Sequence, residues 1–207
     1  MGDKSIYFFF CLLLTASFSF ASCTEADEED EEWADWQNRN EAYFEEQFLL
    51  HDMDTETCFV LPSWGQPTDF YATTGGVAHT GCILVDVIEE ADETETTYPL
   101  YTDSVKVEYS GRLMPTTHYP LGYEFDRSYL STYDPDVDVP STMAVNGVVE
   151  GFSTAVQHMH RGDKWRIIVP YQLGYGTTAR TSIPAYSTLV FEIELIDFWS
   201  KKKGDRL

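Results

Sequence analysis

Residues 162–176 read GDKWRIIVPYQLGYG and residues 183–197 read IPAYSTLVFEIELID, and the alternation in these two stretches decides the fold. Trp165, Ile167 and Val169 take every second position of the first. Leu189, Phe191, Ile193 and Leu195 do the same in the second, with Glu192 and Glu194 between them. A period of two with one apolar side is the pattern of an antiparallel strand with one buried face. Upstream, SVKVEYS (Ser104–Ser110) repeats it: Val105, Val107 and Tyr109 point one way, Lys106 and Glu108 the other. Between these strands Phe152, Ala155, Val156 and Met159 fall at i, i+3, i+4 and i+7, which predicts a short helix. His158, His160 and Arg161 are expected in its last turn, with Gly162 ending it. One short helix among antiparallel strands is an α+β arrangement of about 120 residues.

Outward from this block the character of the chain changes. Cys58 to Tyr71 contains Pro62, Gly65 and Pro67, Gly75-Gly76 follow, and the stretch reads as a loop-rich connector. Trp33–Leu50 (WADWQNRNEAYFEEQFLL) reads as a helix whose buried face holds Trp33, Trp36, Tyr43, Phe44, Phe48 and Leu49. Such an aromatic face must dock on something. The chain carries 35 acidic and 13 basic residues, a formal charge of −22 over 207 residues. Between Glu25 and Glu56 there are fourteen acidic residues and one basic one, Arg39. A balance this acidic argues against nucleic acid as a partner, because phosphate binding needs clustered Lys and Arg. TEADEEDEE (Thr24–Glu32) repels itself and reads as an extended tether or a sorting signal. It resembles the acidic stretch behind the lipidated Cys of surface lipoproteins from Bacteroidetes.

Ile6–Leu14 (IYFFFCLLL) is too short to span a bilayer and suits the apolar core of a secretory signal. It leads to Phe20-Ala21-Ser22-Cys23, which resembles a bacterial lipobox and implies lipidation of Cys23; ordinary cleavage near Ala21-Ser22 is the alternative. The expected segments are a signal peptide over 1–22, an acidic tether over 23–32 and a helix-and-loop extension over 33–79. The main domain follows over 80–199, with a basic tail over 200–207. In an exported chain Cys58 and Cys82 are candidates for a disulfide; two separate buried thiols are the other reading.

There is no nucleophile elbow, P-loop or dinucleotide-binding glycine run, and His51, His79, His118, His158 and His160 lack zincin spacing. No cofactor and no metal are expected; Cys58, His79 and Cys82 are too scattered to make a ligand set. Five blocks in order carry the strongest signal: VEYSGRL (Val107–Leu113), EFDRS (Glu124–Ser128), NGVVEGF (Asn146–Phe152), and the two stretches quoted at the outset. Together they resemble the FKBP-type peptidyl-prolyl cis-trans isomerases, including lipid-anchored members from Bacteroidetes.

The resemblance implies an α+β fold: an FKBP-like antiparallel sheet of five or six strands wrapped around one short helix, here with an N-terminal helical extension. It implies a shallow apolar cleft that takes a proline ring. Tyr175, Asp126, Phe191 and Tyr109 are the implied catalytic residues; Phe125, Met143, Val148, Val149, Phe152 and Ile183 are implied for substrate binding. Phe152 stands where the family usually has Trp, and Met143 where it often has Phe. Met114–Tyr123 is longer than the compact family turn, and Leu130–Val139 is unusually acidic. The implied partners are proline-containing polypeptides, macrolide immunosuppressants and, through the N-terminal lipid, a membrane. The implied location is the bacterial cell envelope, as an outer-membrane lipoprotein and a monomer. Two other functions compete: a low-turnover binding module or chaperone using the same cleft, and a structural part of a surface complex.

Overall fold

The computed structural model describes residues 31–51, 55–64, 79–129 and 139–200. The expected signal peptide, the candidate lipidation residue Cys23, most of the expected acidic tether, Gly75-Gly76, most of the acidic 130–139 stretch and nearly all of the basic tail lie outside them. Helix α1 (Trp36–His51) is followed by strands β1 (Cys58–Pro62), β2 (Cys82–Glu89), β3 (Asp103–Leu113), β4 (Glu124–Arg127) and β5 (Ser141–Ala144). Helix α2 (Glu150–Val156) then leads to β6 (Lys164–Val169) and β7 (Leu189–Ser200). All strand pairs are antiparallel, in the order β1-β2-β6-β7-β3-β4, with β5 also pairing β3.

The sheet has seven strands rather than five or six because Cys58–Pro62, expected as connector, pairs with Cys82–Asp86 as an edge strand. Pro62 ends β1, where a missing N–H costs a ladder least. α2 also ends sooner than expected: His158, His160 and Arg161 lie beyond Val156. Gly162, with φ +97°, instead serves the turn into β6, and its N–H donates to the Leu195 carbonyl.

The alternation holds on one face. Ile167 pairs Phe191, Gly111 pairs Phe191 and Tyr109 pairs Ile193, so these positions look towards α2. Gly151 lets α2 come close, since a Cβ there would clash with the Val169 side chain. The opposite face explains what alternation alone did not. Leu84, Ile168 and Val190 on that face are buried with Cys82 under Phe44 and Phe48 of α1. Both sheet faces are therefore covered, and β2 and β6 become near-continuous apolar runs.

α1 buries Trp36, Asn40, Phe44, Phe48 and His51, a single stripe near four-residue spacing. Leu49, expected on that stripe, is 62% exposed. Asn40 interrupts the stripe with a polar group hydrogen-bonded through both its amide nitrogen and its oxygen. Its amide donates to the Trp36 carbonyl at 2.7 Å, and its side-chain oxygen accepts the Thr188 N–H at 2.7 Å. The Trp36 indole N–H donates to Ser187 Oγ at 2.9 Å. These bonds fasten α1 to the segment leading into β7. Asn40→Ala strands the buried Thr188 N–H and is expected to cost about 1–3 kcal/mol, read as a lower urea midpoint at unchanged slope.

The expected disulfide is not formed: both cysteines are free thiols. Cys58 sits opposite Asp86 and Cys82 opposite Pro62, at the two ends of the β1–β2 ladder. Four residues of strand separate them by about 13 Å, beyond the roughly 7 Å that a bridge tolerates. Cys82 is fully buried, and burial pushes its thiol up to about 12. Its Sγ donates to the His79 carbonyl, while the His79 ring stacks on Phe48 at 3.7 Å.

Candidate active site

An open cleft of about 410 Å³ lies on the α2 side of the sheet. Tyr109 and Phe191 reach it from the paired strands β3 and β7, and Phe125 and Asp126 from the short edge strand β4. Met143 comes from β5, Val148 and Val149 from the approach to α2, and Phe152 from its first turn. The Val149 backbone is extended (φ −62°, ψ 150°) before the helix begins, which brings the chain across the mouth of the cleft.

Four aromatic rings build the floor and walls, each meeting the next edge to face. Tyr109 and Phe152 are 5.9 Å apart at 84°, Phe152 and Phe191 5.3 Å at 89°, Phe191 and Phe125 5.7 Å at 88°. In this arrangement the positive edge of one ring meets the negative face of another, which fixes ring orientation beyond simple burial. Phe152 and Phe191 are buried; Phe125 and Tyr109 are half-buried, so the hollow is dry at its base and open above.

Polar groups mark the rim. The Tyr109 hydroxyl donates to Asp126 Oδ2 at 2.7 Å. Burial first, then the Asp126 carboxylate, hold that hydroxyl protonated well above the ordinary phenol range. The other Asp126 oxygen accepts the Arg127 N–H at 2.9 Å, so the carboxylate is held from both sides. Tyr175 stands on a tight turn after a three-residue 3-10 segment, Tyr171–Leu173. The Gly174 and Gly176 N–H groups both donate to the Tyr171 carbonyl, and Gly176 adopts φ +65°, a conformation that favours glycine. That turn places the phenol at the rim rather than in the core.

Nine of the ten residues named from the sequence line this cleft; Ile183 does not. Ile183 is 5% exposed and bridges Arg180 through the backbone, so it supports the loop from beneath. Three lining residues were not among those named, Gly147, Gly174 and Arg180, and Arg180 is the one of them with a side chain. Its guanidinium carbon lies 5.4 Å from the Tyr175 ring centre, a cation–π distance. A lone Arg in TTARTSIP carries no periodic signal, and its role appears only when the loop folds over. α1 contributes nothing to the lining: it covers the opposite sheet face, so the hollow is not plugged by this helix.

Residues 96–196 match the family of FKBP-type peptidyl-prolyl cis-trans isomerases. The Macrophage infectivity potentiator of Trypanosoma cruzi is 36% identical over 107 residues, 51% of this chain and 48% of that protein. The FKBP-type isomerase FkpA of Escherichia coli K12 is 32% identical over 135 residues, 65% of this chain and 45% of that protein. This chain thus spans a little under half the length of such relatives. A crystal structure of a peptidyl-prolyl isomerase from Pseudomonas syringae pv. tomato superposes with a TM-score of 0.50 at 26% identity, covering 78% of this chain and 96% of that one. The crystal structure of E. coli FkpA gives 0.55 at 23% identity over 97% of this chain and 74% of that one, a likeness of fold.

Proposed function

Because residues 96–196 form a domain of the FKBP-type peptidyl-prolyl cis-trans isomerase family, we propose that this chain catalyses cis–trans exchange of X-Pro bonds in polypeptides. The observation that carries the reading is the row of four aromatics joined by three edge-to-face contacts, with the Tyr109–Asp126 hydrogen bond at its rim.

Twisting the amide through 90° breaks resonance and raises a barrier of about 18–20 kcal/mol. In the twisted state the nitrogen and the carbonyl lose much of their partial charge. A hollow of aromatic and aliphatic groups solvates the planar amide less well than water does while losing little on the twisted, less polar state, so the gap between the two narrows. The site then works by binding the transition state better than the ground state, without covalent chemistry. Phe152 and Phe191 form the floor for the pyrrolidine ring, with Phe125, Met143 and Val148 as walls. The Tyr175 hydroxyl donates to the carbonyl of the residue before proline, and the Val149 N–H holds the chain on the other side. Asp126, through its bond to the Tyr109 hydroxyl, keeps that ring upright as a wall.

A chymotrypsin-coupled assay on an Ala-Leu-Pro-Phe peptide tests this. The chain is expected to accelerate exchange over buffer. Tyr175→Phe removes one neutral hydrogen bond of about 0.5–1.5 kcal/mol, so kcat/KM should fall roughly two- to twelvefold. A rate equal to buffer, with peptide binding retained, points to the binding-module alternative instead.

The same proposal places the domain in the bacterial cell envelope as a monomer. Processing after Ser22 and acylation of Cys23 would anchor it to the outer membrane behind its acidic tether. Exported proline-containing proteins are its clients, and macrolide immunosuppressants are candidate ligands of the same cleft. Support for the anchor is the Phe20-Ala21-Ser22-Cys23 sequence and the acidic run behind it. Radiolabelled palmitate incorporation that depends on Cys23 is the direct assay.

A further inference from the structure

On the sheet face away from the cleft, three elements bring together a nitrogen, a sulfur and an oxygen donor. His51 ends α1, Cys58 opens β1, and Asp86 lies opposite Cys58 on β2. One ligand atom from each lies within 4.8 Å of the other two. His51 is 3% exposed, while Cys58 and Asp86 are half-buried.

The orientation of the histidine is informative. Its Nδ1 is 2.7 Å from the Gln47 carbonyl, so that nitrogen must carry a proton and donate it. Its Nε2 is 3.0 Å from Asp86 Oδ1. In neutral imidazole with Nδ1–H, Nε2 holds a lone pair, and a lone pair aimed at a carboxylate is unfavourable. A cation has to lie between the two: either a second ring proton or a metal ion. An Nδ1–H bound to a backbone carbonyl is also the usual outer support of a histidine that ligates through Nε2. The second carboxylate oxygen is engaged elsewhere, 3.6 Å from the Arg166 guanidinium, which leaves Oδ1 for the shared position. The Cys58 thiol, on the same side of the ladder, hydrogen-bonds the Asp86 carboxylate, so the sulfur already stands beside the shared position.

We propose that His51 Nε2, Cys58 Sγ and Asp86 Oδ1 form a three-ligand site for a divalent cation of the zinc class, with a fourth position open to solvent. Nitrogen, thiolate and single-oxygen donors suit zinc and its borderline-soft neighbours; calcium and magnesium take shells of oxygen. Bond lengths of about 2.0–2.3 Å put tetrahedral donors about 3.3–3.7 Å apart, so a side-chain rotation of an ångström or so closes the observed triangle. Binding forms the metal–sulfur and metal–Nε2 bonds as the Cys58 thiol and the His51 Nε2–H each release a proton to solvent, while Nδ1–H stays on the Gln47 carbonyl. The metal then links the end of α1 to the β1–β2 edge and ties the helix to the isomerase domain.

The test uses the full chain, reduced, stripped with chelator and titrated with Co²⁺. One equivalent is expected to produce a near-ultraviolet thiolate-to-cobalt charge-transfer band and tetrahedral visible bands, both bleached by one equivalent of Zn²⁺. Cys58→Ser should abolish the charge-transfer band, and Asp86→Asn and His51→Ala should each weaken Co²⁺ binding at least about tenfold. Cys82→Ala should leave the spectrum unchanged; circular dichroism confirms that each variant is folded. Absence of a band in the parent chain, or a band that survives Cys58→Ser, overturns the site. In the first case His51 and Asp86 are a plain imidazolium–carboxylate pair, and in the second another cysteine is the ligand.

Discussion

Phe191→Ala is expected to cost about 3–5 kcal/mol of stability and to reduce isomerisation at least about a hundredfold, equivalent to about 2.7 kcal/mol. Phe191 is 4% exposed and central to the aromatic cluster: both Phe125 and Phe152 meet it edge to face. It faces Gly111 on one neighbouring strand and Ile167 on the other, so truncation opens a void that the sheet cannot close by moving one loop. Two effects then coincide, a core cavity and a lost cleft floor, and a second variant separates them. Phe191→Leu keeps most of the volume and should lose less than about 1.5 kcal/mol of stability. It removes the aromatic edge contacts, however, and with them the fixed orientation of Phe125 and Phe152. Denaturant melts should therefore place Phe191→Leu near the parent chain while the coupled peptide assay places it well below. If Phe191→Leu turns over at the parent rate, Phe191 is core alone and the aromatic floor is not what lowers the barrier.

The same residue shows what the sequence made legible. Alternation in TLVFEIEL puts Phe191 on a buried face, and the order of the five blocks put it in a cleft; both hold, because strand period and block order are local or linear properties. What escaped depended on the third dimension. Cys58–Pro62 looked like connector because its Pro and nearby Gly residues are turn formers, yet an edge strand tolerates a terminal proline, and β2 offered it a partner. Ile168 and Val190 lie on the side that alternation assigns to solvent; only the docking of Phe44 and Phe48 makes them core. The helical stripe was right at Trp36, Phe44 and Phe48 and wrong at Leu49, since a buried Asn40 and His51 replaced an apolar residue by hydrogen-bonded polar ones. Arg180 reached the rim by a loop path without period. Positions 51, 58 and 86 have no motif spacing, so their convergence was invisible until a helix end and a two-strand ladder met.

Gly111→Ala is the substitution that should damage the cleft most for the smallest chemical change. A Cβ at residue 111 would stand 2.7 Å from the Phe125 ring and 2.9 Å from the Phe191 ring, closer than real methyl contacts allow. One ring has to yield. Phe191 is wedged among the sheet and Phe152, whereas Phe125 sits half-exposed on the four-residue edge strand β4. Phe125 is therefore the ring that swings outward, and its 5.7 Å edge contact with Phe191 is lost. Overpacking of this kind costs about 1–3 kcal/mol of stability. The wall on that side of the proline ring opens, so kcat/KM in the peptide assay should fall at least about tenfold, or about 1.4 kcal/mol, with KM rising more than kcat falls. The route of the effect is checkable by a double-mutant cycle. If the new methyl acts only by displacing Phe125, then Gly111→Ala combined with Phe125→Ala should be no less active than Phe125→Ala alone, a coupling of opposite sign to simple addition. Additive losses would mean instead that the methyl disturbs Phe191 or the β3–β7 ladder itself, and the glycine would owe its place to strand pairing rather than to the aromatic hollow.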